Sequence, residues 1–240
     1  MQTSRTRPVS ALLGLAAALL SLASAPSASA QTHIYTLNNT YADSNGGPSL
    51  VPVSNGGTGT LSTSGYTFGK DQGLSLSNAI PTGGTFSIDL TFSLTDLSGY
   101  KKLIDFHNLT TDDGLYLLNG QLNFFPVTGS PGPTVLAANQ SVTVDLTRDG
   151  TTKLVTGSIN GVQQFSFTDT TNLAVFDQPG GLAYFFVDDN ATSQNEAGPG
   201  TVTRITITAS PVPEASTTVS LGLLALGLGG LVVAGKRRKA

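Results

Sequence analysis

The sequence predicts an all-β fold, an antiparallel sandwich of two sheets, between residues 31 and 210. Three observations lead to this prediction. Apolar and polar residues alternate with a period of two in several short runs, turn-forming pairs separate these runs, and no long run shows the spacing of an amphipathic helix. A stretch of about 180 residues is long enough for one domain with a single core.

Alternation is clearest in residues 86–94, where five apolar residues alternate with Ser, Asp, Thr and Ser. Residues 142–147 and 202–207 follow the same pattern. Side chains of a strand point alternately to its two faces, so each of these strands should bury one face and expose the other. The shorter apolar runs at 103–106 and 115–118 predict strands that are more fully buried.

Three turns predict β-hairpins. Asn119-Gly120, Asp149-Gly150 and Asn160-Gly161 each stand between two predicted strands. Asn, Asp and Gly accept the positive φ angles of a type I′ turn, whose twist matches the flanking strands. Residues 43–69, rich in Gly, Asn, Ser and Thr, are predicted to form long surface loops between the first strands.

The N-terminus has the layout of a secretory signal peptide, predicted to span residues 1–30. Arg5 and Arg7 precede the uncharged apolar run 9–22, and Ala28-Ser29-Ala30 follows. A basic segment, an apolar segment and a small-residue site together predict cleavage between Ala30 and Gln31. A retained membrane helix is the alternative, but the apolar run is short for a span of about 20 residues.

The C-terminal segment 211–240 predicts a short membrane-directed tail. Residues 216–235 are uncharged and long enough for one transmembrane helix. A basic cluster follows, and it should remain on the cytoplasmic side, which leaves the main domain outside the inner membrane. The cluster consists of Lys236, Arg237, Arg238 and Lys239.

The order of polar motif, single span and basic cluster resembles the PEP-CTERM sorting tail of exopolysaccharide-producing Gram-negative bacteria. Val212, Pro213, Glu214 and Ser216 match that motif, whereas Ala215 stands where the family has its second proline. The resemblance implies transient anchoring in the inner membrane and processing near the motif by an exosortase-type transpeptidase. A plain C-terminal anchor is the alternative.

Composition excludes several classes of function. Residues 31–210 contain six basic and fourteen acidic residues, a net charge of −8, which would repel nucleic acid. The chain has no cysteine, so disulfides, thiolate metal sites and cysteine catalysis are excluded. Cations and neutral partners such as glycans remain compatible with this charge.

The central region contains several loose motifs in a fixed order, namely Asn38–Pro52, Tyr66–Gly69, Gly73–Leu76, Ile159–Phe165, Phe185–Thr192, Glu196 and Val202–Ile205. In this order they resemble a laminin-G-like, concanavalin-type jelly-roll domain. The resemblance implies two curved antiparallel sheets and a role in binding glycans or extracellular proteins, in some members with calcium. Other branches of the wider fold are glycoside hydrolases, so the fold alone does not choose a function.

Catalysis is not favoured by the residues present. Glycosidases use two carboxylates at a set separation, but Glu196 is the only Glu between residues 31 and 210. Asp112-Asp113 is predicted to be a solvated turn. His33 lies close to the expected mature N-terminus, and His107 is predicted to be a structural or surface residue, because no Gly-x-Ser-x-Gly motif accompanies it.

The strongest polar constellation follows an apolar strand and consists of Asp188, Asp189, Asn190 and Glu196. Calcium prefers several oxygen ligands in a flexible loop, so these side chains are candidate calcium ligands, with an acidic solvated loop as the alternative. Asp105 is expected either to contribute or to pair with Lys101 or Lys102.

Aromatic side chains are a second binding hypothesis. Tyr66, Tyr100 and Tyr116 could stack on sugar rings, although packing is the favoured use of each.

Together these observations predict a non-enzymatic, exported cell-surface or matrix protein. It would bind a polysaccharide or a surface protein, without nucleic acid as a partner. A polysaccharide-active hydrolase and a purely structural matrix component are the alternatives.

Overall fold

Fourteen strands and no helix are found in the part of the chain that the computed structural model describes, residues 29–53, 57–176 and 178–210. The strands are β1 Gln31–Tyr35, β2 Val51–Pro52, β3 Thr60–Ser62, β4 Gly65–Phe68, β5 Leu74–Leu76, β6 Thr85–Leu94, β7 Tyr100–Asp105, β8 Gly114–Leu118, β9 Gln121–Phe125, β10 Val142–Arg148, β11 Leu154–Ile159, β12 Val162–Thr168, β13 Ala183–Phe185 and β14 Gly200–Ser210.

The strands form two antiparallel sheets. The eight-stranded sheet has the order β12-β11-β10-β6-β14-β4-β3, with β1 also paired to β14. The six-stranded sheet has the order β2-β5-β13-β7-β8-β9. The predicted antiparallel two-sheet sandwich is confirmed for the described residues.

The inner faces of the two sheets carry the apolar residues that the period of two assigned to the core. In β6 the buried side chains are Phe86, Ile88, Leu90, Phe92 and Leu94, all at most 4 % exposed. Aromatic rings join the sheets, as in the contact of Phe92 with Phe186, whose ring centroids are 5.2 Å apart. The two sheets thus share one hydrophobic core.

Two of the predicted tight hairpins are confirmed. Asn119-Gly120 links β8 to β9 and Asn160-Gly161 links β11 to β12, and all four residues have the positive φ angles that a type I′ turn requires. At Asp149-Gly150 the connection is longer, because β11 begins only at Leu154. The Asp149 carboxylate accepts hydrogen bonds from the amides of Thr151 and Thr152 and stabilises this wider turn.

The prediction of long loops over residues 43–69 is wrong in part. Three short strands, β2, β3 and β4, lie within this segment. The Tyr66 side chain is fully buried, and its hydroxyl accepts a hydrogen bond from the Gly59 amide and donates one to the Gln72 carbonyl. Tyr66 thus ties the glycine-rich segment to the core, which composition alone did not indicate.

Strand β1, the first of the domain, pairs with β14, the last. Gln31 pairs with Ala209, and the register continues to Tyr35 opposite Ile205. The hydroxyls of Thr32 and Thr208 lie 3.2 Å apart. The expected first residue of the mature chain therefore lies beside the last strand of the sandwich.

Candidate functional site

The two terminal segments predicted for export and sorting lie mostly outside the described residues. Ala30 is exposed and Gln31 begins β1. The motif Val212–Ser216, the predicted helix 216–235 and the basic cluster 236–239 fall beyond residue 210, so the structure does not test them. Within the described ranges no helix is long and apolar enough to cross a membrane.

The predicted acidic constellation is a loop that follows β13 and leads into β14. Asp188 and Asp189 are fully buried, Asn190 is exposed and Glu196 is half-buried. The loop is held by its own carboxylates, because Asp188 Oδ2 accepts hydrogen bonds from the Thr192 hydroxyl and the Glu196 amide. Asn190 donates from its side-chain amide to the Leu109 carbonyl.

Lys102, which projects from β7, lies at the centre of this region. Its ammonium Nζ donates to Asp189 Oδ2 at 2.5 Å and to Asp105 Oδ2 at 3.0 Å, and all three side chains are fully buried. The predicted pairing of Asp105 with a neighbouring lysine is confirmed for Lys102. Nζ also lies 5.1 Å from the centroid of the Tyr116 ring.

The four candidate calcium ligands do not converge on one point. Among the residues that the structure describes, no group of three or more His, Asp or Glu side chains is placed to hold a metal ion. The physical reason is that the Lys102 ammonium already meets Asp189, and backbone amides occupy the other oxygen of that carboxylate. One buried oxygen, Asp188 Oδ1, has no hydrogen-bond partner there.

Negative charge nevertheless accumulates beside the loop. Burial first, and then the charges of Asp112, Asp188 and Asp189, together raise the pKa of Glu196 to about 7, while Lys102 opposes them. Burial also raises the pKa of Asp112, although that carboxylate accepts a hydrogen bond of 3.1 Å from the Tyr116 hydroxyl. A half-buried carboxyl with this pKa exchanges its proton near neutrality.

Each of the two histidines contacts the side chain of an aspartate in a loop. His107 Nδ1 lies 2.8 Å from Asp113 Oδ1 in the loop before β8. His33 lies in β1 and is buried, with Nδ1 2.8 Å from Asp43 Oδ2. The pairing of β1 with β14 holds this segment in place.

Tyr66 and Tyr116 are fully buried and so are not available for stacking on a sugar. Tyr100 is half-buried at the start of β7. Its ring packs edge-on against Tyr116 and Phe125, with centroids 5.6 and 5.7 Å apart. The favoured interpretation of these rings, packing, is confirmed for the two buried tyrosines.

The outer side of the eight-stranded sheet carries a largely polar surface that sequence reasoning did not assemble. We name it the polar face. Its side chains come from β1, β6, β10, β11 and β14 and are Thr32, Ser87, Asp89, Thr91, Thr143, Asp145, Thr147, Thr156, Ser158, Arg204, Thr206 and Thr208. The alternation of polar residues predicted each strand's outer side, but the rows depend on registers that a single sequence does not contain.

Rows of this face run across the strands in register. Ser158, Asp145, Asp89 and Thr206 lie opposite one another in turn. Hydroxyls bridge neighbouring strands, as between Thr91 and Thr143 at 3.0 Å. Such a face offers closely spaced donors and acceptors on a rigid sheet.

Two carboxylates occupy the middle of the polar face as direct cross-strand partners, Asp89 on β6 and Asp145 on β10. Burial raises the pKa of both; the charge of Asp145 raises that of Asp89 further, whereas Arg204 lowers it. Asp145 accepts a hydrogen bond of 3.2 Å from the Ser87 hydroxyl. Like charges placed directly opposite each other destabilise a sheet.

These features define a concanavalin-like β-sandwich of the jelly-roll type with one polar sheet face. The fold is similar to domain 4 of AbnA, an extracellular GH43 arabinanase from Geobacillus stearothermophilus, in complex with arabinotriose. The TM-score is 0.57 at 15 % sequence identity, over 77 % of this chain and 95 % of that domain.

A part of the Trypanosoma rangeli sialidase, in complex with 2,3-difluorosialic acid, is also similar. The TM-score is 0.57 at 14 % identity, over 76 % of this chain but only 30 % of the sialidase chain. No protein-family model matches the sequence, and no curated protein sequence matches it. At these identities the similarity establishes the fold.

Proposed function

We propose that this protein is an exported, non-catalytic glycan-binding protein of the cell surface or extracellular matrix, and that the polar face is its binding surface. The observation that carries the proposal is the Asp89–Asp145 pair set among rows of Thr and Ser hydroxyls. Carboxylates accept hydrogen bonds from sugar hydroxyls, and Thr and Ser both donate and accept them. The rigid sheet holds these groups in place before a ligand arrives.

The charge of the domain narrows the ligand to a neutral polysaccharide. With a net charge of −8 over residues 31–210, a sulfated or uronic-acid polymer would be repelled. The similar arabinanase domain was solved in complex with a neutral sugar, arabinotriose. This gives an independent reason to test glycans first.

Export and sorting complete the proposal. A laminin-G-like domain would cross the inner membrane by its signal peptide, remain transiently anchored by residues 211–240 and be processed near Glu214 by an exosortase-type transpeptidase. The mass of the mature protein tests both ends. A species that begins at Gln31 and ends near Glu214 supports the proposal, whereas retention through Ala240 indicates a permanent anchor.

Binding is tested by depletion of the purified protein on insoluble neutral polysaccharides, with the wild type compared to the double variant D89N/D145N. We expect the wild type to be depleted and the variant to remain in solution. The matched control is D96N, which removes an acidic side chain 49 % exposed in the connection between β6 and β7. Equal depletion of all three proteins would show that the polysaccharide binds outside the polar face.

The same incubations distinguish the alternatives. Release of reducing ends would identify a hydrolase and overturn the non-catalytic proposal. Neither depletion nor release on any polysaccharide would identify a structural matrix component.

A further inference from the structure

A lysine and two carboxylates are buried together where the loop that follows β13 packs against β7. Lys102 is 1 % exposed, and Asp105, Asp189 and Tyr116 are fully buried. Asp189 lies 87 positions after Lys102 in the chain, so the contact joins β7 to a distant loop. The arrangement does not involve the polar face, and the inference drawn from it is independent of the proposed function.

The two oxygens of the Asp189 carboxyl group have different hydrogen-bond partners. Its Oδ1 accepts hydrogen bonds from the amides of Ala191 at 2.8 Å and Thr192 at 3.1 Å. Its Oδ2 lies 2.5 Å from Lys102 Nζ and 3.3 Å from the Tyr116 hydroxyl, whose single proton is shared with Asp112 Oδ1 at 3.1 Å. Two amides directed at one oxygen form the kind of site that stabilises negative charge developing on a carbonyl oxygen.

Asp105 is placed to accept a proton from the same lysine. Its Oδ2 lies 3.0 Å from Lys102 Nζ, and its Oδ1 is fixed by the amides of His107 and Leu109. Burial raises the pKa of Asp105, although Lys102 opposes this. Burial lowers the pKa of Lys102, but the two carboxylates together hold it above its ordinary value, so the resting state is an ion pair.

We propose that Lys102 and Asp189 form an intramolecular isopeptide bond. One proton of the ammonium passes to Asp189 Oδ2, 2.5 Å away, and makes that group a neutral carboxylic acid; the freed lone pair of Nζ then attacks Cγ of Asp189. The negative charge that develops on Oδ1 is held by the amides of Ala191 and Thr192, while Asp105 Oδ2 takes a second proton from Nζ. The proton on Asp105 then passes to Asp189 Oδ2, which departs as water and leaves one hydrogen on the amide nitrogen.

The atoms and charges of this step balance within the protein. An ammonium and a carboxylate become one neutral amide and one water molecule, and Asp105 ends as the carboxylate it was. No oxidant, metal or activated ester takes part. The Tyr116 hydroxyl hydrogen-bonds to the oxygen that leaves.

Contact speeds the reaction, and burial favours its product. Groups held in contact react at effective concentrations far above those in solution. A buried ion pair carries a large desolvation cost, and the neutral amide that replaces it carries less. The bond would link distant parts of an exported chain that has no cysteine and therefore no disulfide.

Peptide mapping of the purified full chain after prolonged incubation tests the proposal. Trypsin does not cleave after an acylated lysine, so the bonded form yields peptide 102–148 joined to peptide 154–204, lighter than their sum by one water molecule. The unbonded form yields separate, unmodified peptides 103–148 and 154–204. Complete recovery of the separate peptides from the wild type would overturn the proposal.

Two variants and an internal control sharpen the result. Lys102→Arg keeps a positive charge but lacks the amine, so it must give no joined peptide. Asp105→Asn should greatly reduce the joined peptide in protein that retains the cooperative melting of the wild type; an unchanged yield would remove Asp105 from the mechanism. Lys101 and Asp96 also lie 3.0 Å apart, but that pair is partly exposed and should remain unlinked.

Discussion

Asp89 and Asp145 lie directly opposite each other on β6 and β10, on the polar side of the sheet. Burial raises the pKa of both carboxyls above the ordinary value of 3.8. A carboxyl whose pKa is higher in the folded protein favours folding when it is protonated. Its contribution to stability is complete below the unfolded pKa and is lost as pH rises through the folded pKa.

The first prediction follows from the direction of these two pKa shifts. Asp145→Asn should be more stable than the wild type at pH 7 by ~0.2–1 kcal/mol, because it removes one of two like charges facing each other. The gain should disappear in acid, where the wild-type carboxyls are protonated. Urea unfolding at several pH values measures both effects.

The control for this variant is Asp96→Asn. The Ser98 amide and hydroxyl and the Lys101 ammonium lower the pKa of Asp96 to about 2. Loss of that charge should therefore destabilise the protein at neutral pH, with the opposite sign. If both variants shift stability in the same direction, the like-charge interpretation of the Asp89–Asp145 pair is wrong.

Glu196 leads to the second prediction. Its ordinary pKa is 4.5, and burial together with Asp112, Asp188 and Asp189 raises it to about 7. Stability from this group is therefore complete below about pH 4.5 and is lost as pH rises through about 7. Melting temperatures recorded between pH 5 and 8.5 should fall with pH more steeply in the wild type than in Glu196→Gln. Parallel curves would contradict the raised pKa.

The third prediction concerns a buried ion pair at the end of β10. Arg148 Nε lies 3.3 Å from Asp169 Oδ2, and its guanidinium also donates to the carbonyls of Gly83 and Gly84. Asp169→Ala leaves a buried guanidinium without its carboxylate and should cost about 3–5 kcal/mol in free energy of unfolding. Guanidinium chloride unfolding measures the loss.

A partly exposed pair is the comparison for Asp169→Ala. Lys101→Met removes the charge that meets Asp96 and should change stability by only about 0–1 kcal/mol. Equal losses from the two variants would show that the burial of Arg148 is not what makes its pair costly to break.

The fourth prediction tests calcium at the loop of Asp188, Asp189, Asn190 and Glu196. Because Lys102 meets Asp189 there, the melting temperature should be the same with a chelator as with millimolar calcium. A ligand that binds the folded state raises stability with its concentration. A clear rise of the melting temperature with calcium, lost in Asp188→Asn, would show that calcium does bind at this loop.

Local patterns predicted much of the fold and little of the chemistry. The alternation in residues 86–94 and the turn at Asn160-Gly161 depend on neighbouring residues, so both could be read directly. The meeting of Lys102 with Asp189 depends on how two sheets and a loop close over 87 positions, and no short pattern encodes it. Asp89 and Asp145 could be assigned to an outer face, but not to the same row, since that register is set by packing of the opposite face.

The position of β14 has a mechanical consequence. This strand is paired with β6 along its length and with β1 and β4 on its other side, and Ser210 is its last described residue. A force pulling on whatever follows Ser210 acts along the strand, at right angles to its inter-strand hydrogen bonds. Those bonds then share the force in shear and must break together, whereas a strand peeled from a sheet edge loses them one at a time. A load applied through this last strand is thus carried in shear by its whole length of paired backbone.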